Sequence, residues 1–219
     1  MSIKKNDFVE IEFTGKANGE IFDTTSLEEA KQAGLGDEQL KERFKPLKVC
    51  VGQGMVLKAI DAALEGKELN KDFNLELTEK EAYGKRDSKL IRTVPLTAFQ
   101  EMPQRGMFVN VNGMVAKVIS INSGRVMIDM NHPLAGKSLS YKIKITKLIE
   151  NQLEKIKVIT EFFGVNPESV SLEQEKVIVK GKTPEIIQNQ VKKKIKDILN
   201  LEIEFKEDKK EKLEDTLKK

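Results

Sequence analysis

The sequence predicts an α+β protein built from antiparallel sheets and short helices, arranged in three parts. Segments 7–13 and 71–77 alternate apolar and polar residues at period two, which is the pattern of half-buried strands. Asn112-Gly113 separates two further apolar segments, a strong signal for a type I′ hairpin. The stretch 183–199 instead places its apolar residues on one helical face.

The composition is that of a globular protein with a mixed-sign surface. Hydrophobic residues make up 39% of the 219 residues and charged residues 33%, and 38 basic against 35 acidic side chains leave a net charge of +3. This balance argues against a dedicated nucleic-acid binder, which would carry a one-sided basic face. The sequence shows no secretory signal and no apolar segment long enough to span a membrane. We therefore expect a cytoplasmic protein whose partners are neither nucleic acid nor membrane.

The first part of the chain has the pattern of a sheet with a short helix. Strands are expected at 7–13, 20–23, 46–51 and 71–77, and a helix at 55–64 that stops at Gly66. The polar segment 26–44 is helix-prone but is interrupted by Gly34 and Gly36. Ala82-Tyr83-Gly84 then opens a turn.

The charge density falls by about half after residue 87, since only three acidic and five basic residues occur from 87 to 130. Expected strands at 108–111, 114–121 and 125–130 form an all-β module, and the pattern of the first part resumes at 139–149. An insertion into a parent domain explains this order, because close chain ends permit it. The expected domains are 1–86 plus 131–150, an inserted domain 87–130, a small α+β C-terminal domain 151–206 and a charged tail 207–219.

The C-terminal part is expected to contain a helix at 153–163, a hairpin at 169–180, a helix from Pro184 and a strand at 201–205. The apolar face of the second helix could be buried within its own domain or against a second copy of the chain. The sequence leaves a homodimer through this domain open.

The segment VGQGM at 51–55 raises the question of a nucleotide site, because it joins a strand to a helix. A phosphate-binding loop needs Lys-Ser/Thr after its last glycine, or a third glycine with an acid about 20 residues later. Here bulky apolar residues follow Gly54 instead. Free N–H groups at the helix start beside Met55, Val56 and Leu57 suit the carbonyl of an uncharged peptide.

Four motifs, taken in order and spacing, carry a resemblance to a known family. They are Phe13-Thr14-Gly15, Gly19-Glu20-Ile21-Phe22-Asp23, the segment VGQGMVL at 51–57 and Ala82-Tyr83-Gly84. Over roughly residues 5–150 the chain resembles the FKBP-type peptidyl-prolyl cis-trans isomerases. The insertion after Tyr83 and the return through 131–139 resemble the SlyD-like branch, which carries a chaperone domain inserted in its flap. The extra C-terminal domain is similar to the long archaeal type.

The resemblance implies an FKBP fold, an antiparallel sheet wrapped on a short helix, with a proline pocket. The implied pocket residues are Phe13, Phe22, Val56, Leu57, Ile60 and Tyr141. Asp23 would be the pocket carboxylate and Tyr83 the hydroxyl donor, so these two are the implied catalytic residues. The Leu57 N–H would donate to a substrate carbonyl. This chemistry needs no nucleophile, so no cofactor is expected, and no metal site is expected either.

Two positions depart from the family pattern. Family members often carry Tyr where this chain has Phe13, and Trp where it has Ile60. Phe13 has no hydroxyl to hold the carboxylate, and Ile60 makes a smaller pocket floor. We expect a looser pocket, weaker binding of the family's macrolide inhibitors and a less firmly held Asp23.

Structural alternatives stand beside these roles. Asp23, which precedes Thr24-Thr25, could simply cap a turn. Tyr83 could be a packed turn aromatic. His132 is the single histidine, so a multi-histidine metal site is excluded; it could be structural beside Pro133 or could border the pocket.

Five of the seven methionines fall in the inserted module. Methionine suits surfaces that adapt to many apolar partners, although it also fills small cores. The expected chaperone surface consists of Leu90, Ile91, Val94, Phe99, Met102, Met107, Met114 and Met127.

The resemblance therefore implies a peptidyl-prolyl cis-trans isomerase that accelerates proline-limited folding. Its partners would be unfolded or partly folded polypeptides with X–Pro bonds, held by the inserted domain. The main alternative is a holdase chaperone or peptide-binding protein with little isomerase activity. A third hypothesis, a nucleotide-binding or ribosome-associated factor, is supported only by the glycine loop and the Lys-rich tail.

Overall fold

A computed structural model describes residues 2–173 and 176–206, so the predicted charged tail 207–219 lies outside the described residues. The strands in chain order are β1 (Phe8–Ala17), β2 (Glu20–Thr24), β3 (Leu47–Cys50), β4 (Asp72–Leu77), β5 (Ile91–Pro95), β6 (Phe108–Val111), β7 (Met114–Asn122), β8 (Arg125–Asp129), β9 (Leu139–Leu148), β10 (Val170–Glu173), β11 (Lys176–Lys180) and β12 (Glu202–Lys206). The α-helices are α1 (Leu27–Gln32), α2 (Lys58–Leu64), α3 (Gln152–Phe162) and α4 (Glu185–Leu199). This mixture of helices and separate sheets confirms the expected α+β class.

The chain divides into two compact units. The first contains the described residues of 1–15, 21–75 and 141–219, and the second contains 16–20 and 76–140. The expected domain boundaries are not tested by this division and stay predictions.

The first unit is organised around a five-stranded sheet. Its strands follow the order β2-β1-β9-β4, and β3 pairs antiparallel with β1, with Phe8 opposite Cys50. Alternate positions of β9 are buried, as period-two patterning requires, and Val9 and Ile11 follow the same pattern in β1. Helix α2 buries Ile60 and Leu64. Cys50 is fully buried, and this burial raises the pKa of its thiol to about 12, so it serves as a small apolar core residue.

The C-terminal elements share a core with this sheet. Strands β10 and β11 are antiparallel, as the hairpin prediction requires, and β12 joins β11 in parallel. The predicted face of α4 is confirmed, since Val191 and Ile195 are fully buried. They belong to one apolar cluster with Phe8 and Cys50 of the β1–β3 pair. This face of α4 is therefore covered within the chain. A homodimer through the C-terminal domain stays a prediction.

The second unit contains a four-stranded antiparallel sheet of order β5-β8-β7-β6. Its core is formed by Ala116, Val118, Val126 and Ile128. Asn112 and Gly113 have φ angles of 51° and 81°, so the predicted type I′ hairpin between β6 and β7 is confirmed.

The structure corrects the sequence-based boundaries in two places. The helix expected at 55–64 begins at Lys58, because Leu57 has φ −50° and ψ 135°, outside the helical region. Strand β5 was missed, since its segment lacks a clean period-two pattern. No helix among the described residues is long and apolar enough to cross a membrane. The expected cytoplasmic location stays a prediction.

Candidate active site

Three aromatic rings form a cluster on the sheet of the first unit. The rings of Phe22 and Tyr141 meet edge to face with centroids 5.8 Å apart, and Phe13 lies 6.2 Å from Tyr141 at 56°. Tyr141 is buried, whereas Phe13 and Phe22 are partly exposed. Phe13 and Phe22 therefore leave part of their apolar surface exposed beside the buried ring of Tyr141.

Gly15 is the residue that lets these rings approach the backbone. A Cβ at this position would lie 2.8 Å from Phe22 Cζ and 2.8 Å from Tyr141 Cε1, closer than real Cβ contacts. Gly15 belongs to a motif that the sequence singled out, but its contact role was missed. The only signal for this role in the sequence was a glycine inside a predicted strand, which often marks a position where another group approaches the backbone closely.

Asp23 lies near the end of β2, beside this cluster in sequence. Asp23 is exposed, yet partial desolvation raises the pKa of its carboxyl above the usual aspartate range, while a hydrogen bond from the Thr24 N–H opposes this rise. Thr25 Oγ1 accepts from Phe13 N of β1 at 2.9 Å, and Ser26 caps α1. The role of Asp23 as pocket carboxylate stays a prediction.

The glycine loop is held by a carboxylate of the protein itself. Asp61 on α2 accepts a hydrogen bond from Gly52 N and another from Gly54 N, both at 2.7 Å. Both glycines have positive φ angles, 78° and 70°, so the loop presents these N–H groups towards the helix. Because the donors are already satisfied by an anion, the loop is not a phosphate cradle.

Asp61 is a residue that sequence reasoning missed. It is 7% exposed and lies between Ile60 and Leu64 in an otherwise apolar stretch. A single acid among the buried residues of a short helix was the signal, since a buried carboxylate requires hydrogen-bond donors nearby.

Val56 and Leu57 connect this loop to α2. Both side chains are partly exposed, and Ile60 is buried at 7% exposure. Leu57 is the N-cap residue and no side chain caps the helix. Its N–H is one of the four that a helix start cannot satisfy internally, so it can donate to an incoming carbonyl.

Tyr83 and His132 belong to the second unit and stack on one another. Their ring centroids are 4.0 Å apart with an interplanar angle of 5°. His132 Nδ1 accepts from Leu134 N at 3.2 Å, which orients the imidazole. Tyr83 remains 37% exposed, so its ring is packed on one face and open on the other. This stack was not predicted, because the residues are far apart in sequence.

The chain entering the four-stranded sheet of the second unit is tied to the chain leaving it. Gly136 N donates to Gly84 O at 2.8 Å, and Asp87 N donates to Asn131 Oδ1 at 2.8 Å. Arg86 donates from Nε to Asp129 Oδ2 at 2.8 Å. These contacts brace the Tyr83 turn.

The side chains expected to form the chaperone surface divide into two groups. Met102, Met107, Met114, Met127 and Leu90 are exposed by 73, 45, 52, 40 and 37%. Val94 and Phe99 are partly buried against the core of the second unit, and Ile91 is partly exposed. Phe108 and Val115, 58 and 64% exposed, were missed, because the alternation of β6 and β7 does not tell which face is covered.

A polar groove of about 390 Å³ in the first unit has Phe13 among its lining residues. Its walls include Glu12, Glu29 and Lys144, together with the Lys142–Asp72 ion pair at 2.9 Å. These charged walls do not suit a proline ring, so the aromatic cluster is the better candidate site. Among residues 2–173 and 176–206 no group of His, Cys, Asp and Glu side chains is placed to hold a metal ion.

Comparison with known proteins identifies two family models in the chain. The model described as FKBP-type peptidyl-prolyl cis-trans isomerase matches residues 1–97. The model described as FKBP26, IF domain, matches residues 92–134.

Named relatives agree with these matches. A short-type peptidyl-prolyl cis-trans isomerase of Methanocaldococcus jannaschii is 31% identical over 146 residues, which cover 65% of this chain and 92% of the relative. The FKBP-type peptidyl-prolyl cis-trans isomerase SlyD of Aeromonas hydrophila is 30% identical over 151 residues, 66% of this chain and 64% of that protein. SlyD of Escherichia coli strain K12 is 26% identical over 117 residues, 51% of this chain and 60% of that protein.

Proposed function

The chain belongs to the FKBP-type peptidyl-prolyl cis-trans isomerase family, and we propose that it accelerates proline-limited folding of unfolded or partly folded polypeptides. The inserted sheet would hold the unfolded chain while the aromatic cluster acts on its X–Pro bonds. The arrangement of Phe13, Phe22 and Tyr141 around Gly15 is the observation that carries the isomerase part.

The chemistry requires no nucleophile. Rotation about a peptide bond has a barrier of about 18–20 kcal/mol because twisting destroys amide resonance. The planar amide is more polar than the twisted one, so an apolar pocket disfavours the planar ground state relative to the transition state. Each tenfold acceleration requires only about 1.4 kcal/mol.

Polar groups that the resemblance assigns to the pocket would orient the substrate. The Leu57 N–H would donate to a carbonyl of the bound peptide, since the start of α2 leaves it unpaired within the helix. Tyr83 would donate through its hydroxyl, and the stack on His132 supports this by holding the ring plane. Asp23 would act through its charge or by orienting the pocket, not as a base that removes a proton.

The chaperone role is supported by the exposed apolar side chains of the second unit. An unfolded chain held there would reach the pocket at a raised effective concentration. Methionine side chains adapt to varied apolar partners, which fits a surface without sequence preference for one client.

The isomerase proposal is tested by NMR exchange spectroscopy on a short X–Pro peptide with catalytic amounts of protein. We expect exchange within seconds, slowed about two- to tenfold by Tyr83→Phe, since one hydrogen bond is worth about 0.5–1.5 kcal/mol. Asp23→Ala should slow it as well, while both variants keep the far-UV circular dichroism of the parent. Unchanged rates would remove these residues from the site, and no acceleration by the folded parent would leave a peptide-binding scaffold.

The chaperone proposal is tested by replacing residues 87–130 with a short loop. Exchange in the short peptide should remain largely intact, whereas catalysis of proline-limited refolding of an unfolded protein should fall sharply. Equal losses on both substrates would contradict a separate holding role for the inserted domain.

A further inference from the structure

One face of the inserted sheet combines exposed apolar side chains with unpaired cations. Buried Ala116, Val118, Val126 and Ile128 define the covered face, so the residues that alternate with them define the other. We call this second face the outer face; it carries Phe108, Val115, Lys117, Arg125 and Met127. Phe108 lies directly opposite Lys117 across the β6–β7 pair.

The positive charge of the outer face is not neutralised within the structure. Asp129, opposite Lys117, is the carboxylate of this face, and it is engaged by Arg86 and by Asn131 N at 2.9 Å. Lys117 Nζ instead lies 5.9 Å from the Phe108 ring centroid. Within residues 2–173 and 176–206 neither Lys117 nor Arg125 forms an ion pair, whereas Arg86 does.

The two free cations stand at a defined spacing. Lys117 lies opposite Asp129, and Arg125 precedes Asp129 by four residues on β8, so about 13 Å separates them along the strand direction. Met127 lies midway, on the same face. An extended peptide spans the same distance between residues i and i+4, whose side chains share one face.

We propose that the outer face binds extended apolar segments in which two carboxylates, four residues apart, bracket a bulky apolar residue. This inference rests on the proposed chaperone function and names its preferred client chemistry. The carboxylates would meet Lys117 and Arg125, and the apolar residue would cover Met127. Charge complementarity thus selects among apolar segments that would otherwise bind alike.

A polypeptide fits this face better than a nucleic acid does. Single-stranded nucleic acid is held by several aromatic side chains on which bases stack. Phe108 is the single aromatic residue of the outer face, and Lys117 already lies near its ring. Met127 and Val115 supply aliphatic contacts that suit side chains rather than bases.

The test is fluorescence anisotropy of labelled peptides with the full-length protein at low salt. Three peptides share one apolar sequence and carry Glu, Gln or Lys at positions i and i+4, and a fourth carries Glu at i and i+3. We expect the first Glu peptide to bind about fivefold more tightly than the Gln peptide, since exposed ion pairs contribute little each. The Lys peptide should bind most weakly, and the i, i+3 peptide should lose the advantage, because its carboxylates point to opposite faces.

Matched variants locate the effect. Lys117→Gln with Arg125→Gln should abolish the advantage of the Glu peptide, whereas Lys89→Gln, which removes another exposed cation of the same unit, should preserve it. About 0.5 M salt should also abolish it, because the Debye length falls to a few ångströms.

Equal binding of the Glu and Gln peptides would overturn the inference, as would an advantage that survives the double variant. Tighter binding of single-stranded RNA, with displacement of the peptide, would overturn it in favour of a nucleic-acid surface. If the Gln peptide binds as tightly as the Glu peptide and refolding is still accelerated, the chaperone function stands and only the charge preference fails. If none of the peptides binds, the chaperone function itself fails.

Discussion

At the residue scale, the aromatic cluster depends on the missing side chain of Gly15. Its φ is not among the positive values, so alanine can adopt the backbone conformation, and the obstacle is the contact with the two rings. Gly15→Ala should displace the Phe22 and Tyr141 rings. We expect a loss of stability of about 1–3 kcal/mol, the usual cost of overpacking, and a lower kcat/KM on a short X–Pro peptide.

The ring contact makes this prediction specific. In the double variant Gly15→Ala with Phe22→Leu, the smaller side chain relieves the clash, so urea denaturation should show a smaller loss than the sum of the single losses. Additive losses would mean that Gly15 matters for a reason other than its contact with Phe22.

Asp23 predicts a pH dependence at the same scale. The folded state raises the pKa of Asp23, so the ionised form is disfavoured on folding. Stability is therefore lost as the pH rises from the unfolded pKa of about 3.9 through the higher folded pKa. Asp23→Asn should raise Tm slightly at pH 7 and leave it unchanged at pH 3. If the carboxylate is the active form, kcat/KM of the parent should fall as the pH drops through the folded pKa. The Asp23→Asn variant should not show this fall.

Sequence motifs predicted that three aromatic residues of the expected pocket would meet, but not how. The FKBP resemblance placed Phe13, Phe22 and Tyr141 in one site, and the rings do form one cluster. The resemblance could not predict that Tyr83 stacks on His132 at 4.0 Å, since such a contact depends on the path of the chain between these two residues. Fixed spacing within a motif transfers between relatives, whereas contacts that depend on the chain between motifs do not.

At the element scale, the loop that precedes α2 is anchored from within. Asp61 accepts from Gly52 N and Gly54 N, two hydrogen bonds to a charged group. Asp61→Ala should cost about 2–4 kcal/mol by chemical denaturation and should raise KM, because Val56 and Leu57 follow this loop directly. Asp61→Asn should fall between the parent and the Ala variant.

An exposed acid at the end of the same helix supplies the control. Glu65→Gln should change the free energy of unfolding by no more than about 0.5 kcal/mol, as exposed substitutions usually do. If Asp61→Ala and Glu65→Gln behave alike, the two short hydrogen bonds do not fix the loop.

This loop also shows that apolar periodicity predicts an element without predicting its first residue. Apolar periodicity predicted a helix from residue 55, yet the helix begins at Lys58. Leu57 has φ −50° and ψ 135°, outside the helical region, so the helix begins one residue later. The period of apolar residues reports which side chains are buried, and the backbone angles of the residues at the boundary decide where the element begins.

At the scale of the whole molecule, the C-terminal elements stabilise the sheet that carries the site. The sequence predicted the apolar face of α4 but left its partner open, because periodicity shows that a face is buried and not against what. Phe8, Cys50 and Ile149 lie in one cluster with Ile195 and Val191. Glu154 of α3 adds ion pairs to Lys48 at 2.7 Å and to Lys147 at 3.3 Å.

This shared core predicts that a cavity at α4 lowers the local stability of β1 and β3. Ile195 is fully buried, so Ile195→Ala should cost about 2–5 kcal/mol and should speed hydrogen exchange at Val49 and Cys50 by a comparable free energy. Ile186 lies on the same helix and is 73% exposed, so Ile186→Ala removes the same atoms without opening a cavity and should leave exchange at these amides unchanged. If Ile195→Ala speeds exchange only in α3, α4 and strands β10 to β12, the C-terminal elements unfold independently and the sheet does not rely on them.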